Sequence, residues 1–178
     1  MIFPIFQAFT VRSTGGYLIT LETEVGVSLP FIAPPPPEIR ILRFKAIWDT
    51  GATNTVITRK VITSLGIPPI GVARVDTAAG TINTNQYLVN IMLPNNVGVQ
   101  NVLVTEGSIT DNQDLLIGMD IINLGDFSIT NQNNTTVMSF RIPSCHEIDY
   151  VKEADHINTP PISRKERREQ DRMRRKKH

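Results

Sequence analysis

The chemistry this sequence can offer concentrates at Asp49-Thr50-Gly51-Ala52, where the apolar pair Ile47-Trp48 gives way to a carboxylate on a tight turn. Gly51 lets the backbone turn closely beside the carboxylate, and the Thr50 hydroxyl can be satisfied by hydrogen bonding across a packed junction. Hydrolysis of a peptide bond needs a base that activates water and an acid for the carbonyl oxygen or leaving nitrogen. Two adjacent carboxylates that share one proton supply both. The competing reading of Asp49 is a turn aspartate satisfied by neighbouring N–H groups. Other chemistries have less footing. His146, His156 and His178 lie late in the chain without the spacing of HExxH, and no GxSxG occurs. The single cysteine, Cys145, excludes an intrachain disulfide and a cysteine-rich zinc site. No metal and no cofactor are expected.

Downstream, Leu115-Leu116-Ile117-Gly118-Met119-Asp120-Ile121-Ile122 forms a second motif, and Val56-Ile57 follows the first. Together, in this order and spacing, they resemble the retropepsin-like aspartic protease family, in the manner of a single-domain cellular or bacterial member. The likeness covers roughly residues 39–130. A glycine-containing flap lies between the two motifs in that family, and Val75-Asp76-Thr77-Ala78-Ala79-Gly80-Thr81 occupies the corresponding place here. Viral members usually carry an acid directly after Asp-Thr-Gly-Ala and an arginine after the later glycine, which pair. This chain has Thr53 and Met119 there, so both partners are missing together and neither leaves a buried charge uncompensated.

The resemblance implies an all-β, retropepsin-like closed barrel with one or two short helices and a flap hairpin, working as a homodimer. Asp-Thr-Gly occurs once, unlike the two copies of pepsin-like enzymes, so the second carboxylate is expected from a twofold-related copy. Asp49 is then the catalytic residue, with Thr50, Gly51 and Ala52 supporting its loop and Thr53 and Asn54 on the substrate side. Two carboxylates about 3 Å apart hold one proton as a unit, and water, not a side chain, is the nucleophile. Serine at position 52 could donate a hydrogen bond to the carboxylate; Ala52 cannot. Ala78, Ala79, Gly80 and Thr81 are the expected flap and contact substrate, the alternative being a plain surface hairpin. Ile117 and Gly118 take a structural part, the glycine allowing close backbone approach. Asp120 is read as an acceptor at a helix start, and Asp76 and Asp114 as turn or loop acids.

These groups must be positioned by the surrounding elements. Residues 1–33 read as N-terminal strands, with a hairpin turning at Gly15-Gly16. Residues 34–38 are a polyproline connector, and the core is expected over 39–143. Within it a strand leads to Asp49. Thr58 can cap a short helix that buries Val61, Ile62 and Leu65 and stops at Gly66. Strands follow over 71–77, 81–93 and 97–105. A brief helix follows Gly118, and a hairpin turns around Asn133-Asn134. Residues 144–162 are a C-terminal extension, and residues 163–178 form a basic tail, disordered or helical.

Of the 178 residues, 40% are hydrophobic and 20% charged, an ordinary globular composition of a size for one domain with appendages. The formal charge of +1 conceals a tail with nine basic against three acidic residues and a body of net −5. Between Arg164 and His178 the tail carries enough charge for weak polyanion contact, so an association with nucleic acid through it is a third reading. The apolar start is broken by Pro4 and Gln7 with no basic residue before it, and no run of about 18 apolar residues occurs. A soluble, cytoplasmic endopeptidase acting on peptide or protein substrate through a second copy of itself is the reading favoured. Its main alternative is a catalytically idle module that uses the same fold for dimerisation or peptide binding.

Overall fold

In the computed structural model, residues 6–30, 38–77, 80–109, 112–145 and 147–159 are described. The polyproline run, Ala78, Ala79 and the basic tail lie outside them. The chain divides into two units, residues 1–145 and 146–178.

Segments rich in Val, Ile, Thr and aromatic residues suit a pleated surface that is buried on one face. They form β1 (Gln7–Arg12), β2 (Glu22–Ser28), β3 (Leu42–Trp48), β4 (Val56–Ile57), α1 (Arg59–Leu65), β5 (Gly71–Thr77) and β6 (Gly80–Met92). β7 (Gly98–Glu106), β8 (Leu115–Ile117), α2 (Met119–Ile122), β9 (Asp126–Gln132) and β10 (Thr135–Ile142) complete the first unit. Seven strands are ordered β2-β3-β8-β4-β7-β6-β5, and an added β2–β6 pairing through Gly26, Val27 and Ser28 closes six of them into a barrel, with β5 carried on β6 outside the ring. β1, β10 and β9 form a second, three-stranded sheet. The fold is the all-β closed barrel with short helices expected from the sequence.

Val25, Val27, Ala46, Ile57, Val89, Ile91, Val104, Leu115 and Ile117 are completely buried inside the barrel strands. Each contributes on the order of 1.5–3 kcal/mol for the larger side chains, before ordering entropy is set against it. A tighter knot joins the two sheets. Trp48, the last residue of β3, stacks on Phe127 at 5.8 Å and packs at 5.1 Å from Phe140 and 5.5 Å from Phe9. Its indole N–H donates to Thr23 Oγ1 at 2.9 Å. The residue immediately before Asp49 is thereby fixed by four strands from both sheets.

Two expectations are corrected. β1 and β2 do not form a hairpin across Gly15-Gly16: β1 pairs with β10 from Gln7↔Ile142 to Arg12↔Val137, while β2 enters the barrel. The physical reason is burial, since Phe9 gains the Trp48–Phe140 cluster by pairing with the far end of the chain. Thr58 occupies the N-cap of α1 but makes no side-chain cap bond, and its Oγ1 is buried without a partner. α1 does bury Val61, Ile62 and Leu65 and ends at Gly66, whose N–H donates to Ile62 O.

The second unit contains α3 (Tyr150–Asn158), capped by Asp149, which accepts from the N–H groups of Val151 and Lys152. Among the described residues, no helix is long and apolar enough to cross a membrane.

Candidate active site

β3 runs parallel to β8, with Trp48 opposite Ile117. Asp49 follows at the open end of this pair and its N–H donates to Ile117 O at 3.0 Å, extending the ladder by one bond. The chain then turns sharply. Ala52 N donates to Asp49 O at 3.3 Å, and Gly51 N donates to the Asp49 carboxylate at 2.8 Å. One carboxylate oxygen is fixed by the turn itself while the side chain remains half-exposed. Asp49 is thus in part a turn aspartate satisfied by a backbone N–H, while its second oxygen accepts no hydrogen bond among the described residues.

The remainder of the loop is zipped to the second motif. Met119 N donates to Ala52 O at 2.8 Å and Asp120 N to Thr53 O at 3.2 Å. Thr55, completely buried, donates through its backbone N–H to Asp120 Oδ2 at 3.0 Å and through its hydroxyl to Asp120 Oδ1 at 2.8 Å. The same hydroxyl accepts from Gly118 N at 3.2 Å. Asp120 also accepts from Ile121 N at 3.0 Å, so it serves both its own helix start and the loop. Charge-assisted bonds of this kind are the stronger class, and they fasten the loop without the acid–arginine pair that Thr53 and Met119 lack.

Gly118 is required by proximity, not by its backbone angles, which are those of extended chain. A Cβ there would meet the Asn54 carbonyl carbon at 2.6 Å, Asn54 O at 2.7 Å and Ala52 O at 3.0 Å.

Asp49, Thr50, Gly51, Ala52, Thr53 and Asn54 therefore meet Ile117, Gly118 and Asp120 in one place. Thr50, Gly51, Thr53 and Asn54 are exposed, Ala52 is half-buried, and Ile117 and Gly118 are buried. Gly80 and Thr81 lie at the far end of the β5–β6 ribbon, where Thr77 pairs with Gly80 and Asp76 with Thr81. Thr81 Oγ1 donates to Asp76 Oδ1 at 2.6 Å, which pins the ribbon's register from within. Asp76 is a strand residue, not the turn or loop acid expected. Gly80 has φ +122°, a backbone state that side chains with a Cβ rarely adopt. Ala78 and Ala79 fall outside the described residues.

Asp114 is a loop acid, as expected, buried and held by the Lys60 ammonium at 2.8 Å and Lys45 N at 3.2 Å. One participant escaped sequence reasoning: Thr55 could have been suspected as a polar residue directly before the apolar Val56-Ile57 pair.

Residues 39–121 match the family model described as Aspartyl protease. Over these residues the chain is similar to aspartyl proteases. The matched segment runs from just before β3 into α2, so both zipped motifs lie inside it. Among solved structures the chain is similar to a retropepsin-like aspartic protease from Rickettsia conorii, at 12% identity, covering 80% of this chain and 99% of that one with a TM-score of 0.48. It is also similar to the retroviral protease-like domain of Ddi1 from Leishmania major (16% identity, 72% and 98% covered, TM-score 0.39). Simian Foamy Virus (mac) protease matches at 16% identity, with 55% and 89% covered and a TM-score of 0.35. No curated protein matches.

Proposed function

We propose that the protein is an aspartic endopeptidase whose active centre forms when the Asp49 loops of two copies meet. The observation that carries this reading is the state of Asp49: one carboxylate oxygen held at 2.8 Å by Gly51 N, on a loop zipped to Gly118 and Asp120, with the side chain half-exposed. One chain supplies one such carboxylate, and the chemistry needs two. The Thr50 hydroxyl is exposed and has no hydrogen-bond partner among the described residues, which supports a role in meeting a second copy's loop.

In the assembled centre the two carboxylates share one proton. The ionised one takes a proton from water as its oxygen attacks the peptide carbonyl carbon. The protonated one donates to the carbonyl oxygen, and the resulting tetrahedral species collapses as the leaving nitrogen receives a proton. No bond forms between enzyme and substrate. The β5–β6 ribbon, which exposes Val72 and Ile82, closes over the peptide and excludes water. Thr53 and Asn54, uncharged and exposed, border the substrate beside the loop.

The test is cleavage of a diverse peptide mixture between about pH 4 and 8 by wild type and Asp49→Asn, with products identified by mass spectrometry. Cuts made by wild type alone are expected. An absence of Asp49-dependent cuts from a chain shown to be dimeric would point instead to an idle dimerisation or peptide-binding module.

A further inference from the structure

The β6–β7 pairing stops at Gln86↔Thr105, whereas β5 and β6 continue together from Gly71↔Gln86 to Thr77↔Gly80. Beyond Gln86 the hairpin is a two-stranded ribbon with no third strand beside it among the described residues. Isolated ribbons of this kind are marginal by themselves, so their behaviour is set by what holds their base.

At this base the contacts converge on one residue. Glu106, the last residue of β7, accepts from Tyr87 Oη at 3.0 Å and from Asn85 Nδ2 at 3.3 Å through the same carboxylate oxygen. Its backbone carbonyl accepts from Thr84 Oγ1 at 2.7 Å. The other carboxylate oxygen meets the Arg59 guanidinium at 2.7 Å, the first residue of α1. The Glu106 side chain is only 15% exposed, Arg59 is 71% exposed, and Tyr87 is 1% exposed. Burial, and after it the bond to Glu106, hold the Tyr87 phenol above its ordinary value, which keeps it a hydrogen-bond donor. Glu106 itself is paired with Ile57 of β4, and Gly107 N donates to Ile57 O at 3.0 Å. β4 begins one residue after Thr55 of the catalytic loop.

We propose that Glu106 is a positioning residue that anchors the base of the substrate-covering ribbon to the strand leading away from the Asp49 loop, with Arg59 neutralising the anchor. This rests on the ribbon's role in the endopeptidase reading, although the anchoring itself is independent of catalysis. Three of the four residues from Thr84 to Tyr87, at the ribbon's base, are tied to Glu106 through its side chain and its carbonyl. A ribbon so held pivots about a fixed base, and losing the carboxylate frees the base without touching the Asp49 loop.

Amide hydrogen exchange of the full chain in an Asp49→Asn background, with and without Glu106→Ala, tests the anchoring apart from activity. Glu106→Ala is expected to speed exchange of residues 71–77 and 80–85 by about tenfold, leaving β2, β3 and β8 protected as before. Glu106→Gln, which keeps an acceptor for Tyr87 but loses the charge facing Arg59, should show a smaller increase. Tyr87→Phe and Arg59→Ala, milder changes, should each reproduce part of it even if Glu106→Ala does not fold. In the active protein Glu106→Gln should raise KM several-fold while kcat changes little. Unchanged ribbon exchange in these variants, or an increase spread evenly over the barrel, would overturn the proposal. Ribbon-specific exchange in these variants, together with no peptidase activity from the chain that retains Asp49, would uphold the anchor and refute the endopeptidase reading alone.

Discussion

Gly118→Ala isolates the junction between the two motifs. The added methyl would stand 2.6 Å from the Asn54 carbonyl carbon and 3.0 Å from Ala52 O, where ordinary contact begins at 3.4 Å. These are main-chain atoms that cannot rotate aside. The loop is tied at one end by Asp49 N to Ile117 O and at the other by Thr55 to Asp120, so it must retreat as a unit by roughly 0.8 Å or lose those bonds. Overpacking of this kind costs about 1–3 kcal/mol. A misplacement approaching 1 Å at the reacting groups costs on the order of a hundredfold in rate. Urea unfolding midpoints should therefore fall, and kcat on any peptide cut by wild type should fall by about two orders of magnitude. Gly71→Ala is the control, because its Cβ would meet only Gln86 Oε1 at 3.5 Å. A Gly118→Ala protein with the midpoint and kcat of wild type would refute the packing argument.

Asp120→Ala leaves the buried Thr55 N–H and hydroxyl without acceptors and should destabilise by about 2–4 kcal/mol, with Asp120→Asn costing roughly half as much; paired urea titrations measure both. Phe140→Ala removes a fully buried ring from the Trp48 cluster, and about 3–5 kcal/mol of stability should go with it in the same assay. Asp126 gives a pH dependence. The Ser144 hydroxyl and then the Arg141 guanidinium lower its carboxyl well below the usual range. Its contribution is therefore fully present above the unfolded value of about 4 and is lost as pH falls toward the depressed folded value. The difference in urea midpoint between wild type and Asp126→Asn should be constant from neutral pH to about 5 and shrink below 4.

Local chemistry made much of this architecture legible. Asn133 and Asn134, both with positive φ, turn the β9–β10 hairpin at the place their side chains suggest, and Gly66 ends α1 as expected. The Asp49 turn and Gly118 could be recognised because their demands are backbone demands, which restrict residue type at a fixed spacing. What stayed hidden depended on partners far away in the chain. Nothing near Phe9 announces that β1 will pair with β10, since the signal is the aromatic cluster assembled from Phe9, Trp48, Phe127 and Phe140. Glu106 was invisible for the same reason: its donors Tyr87, Asn85 and Arg59 come from two other elements. Thr58 was assigned a capping bond by its type and position alone, but its hydroxyl lies buried without a partner.

The central claim, one active centre from two Asp49 residues, is tested most directly by co-refolding wild type with Asp49→Asn in equal amounts and measuring peptide cleavage at constant total protein. Random pairing leaves about a quarter of the dimers with both carboxylates, so activity of about one quarter of the all-wild-type sample is expected. Activity of about one half, the value for chains that act alone, would contradict the account.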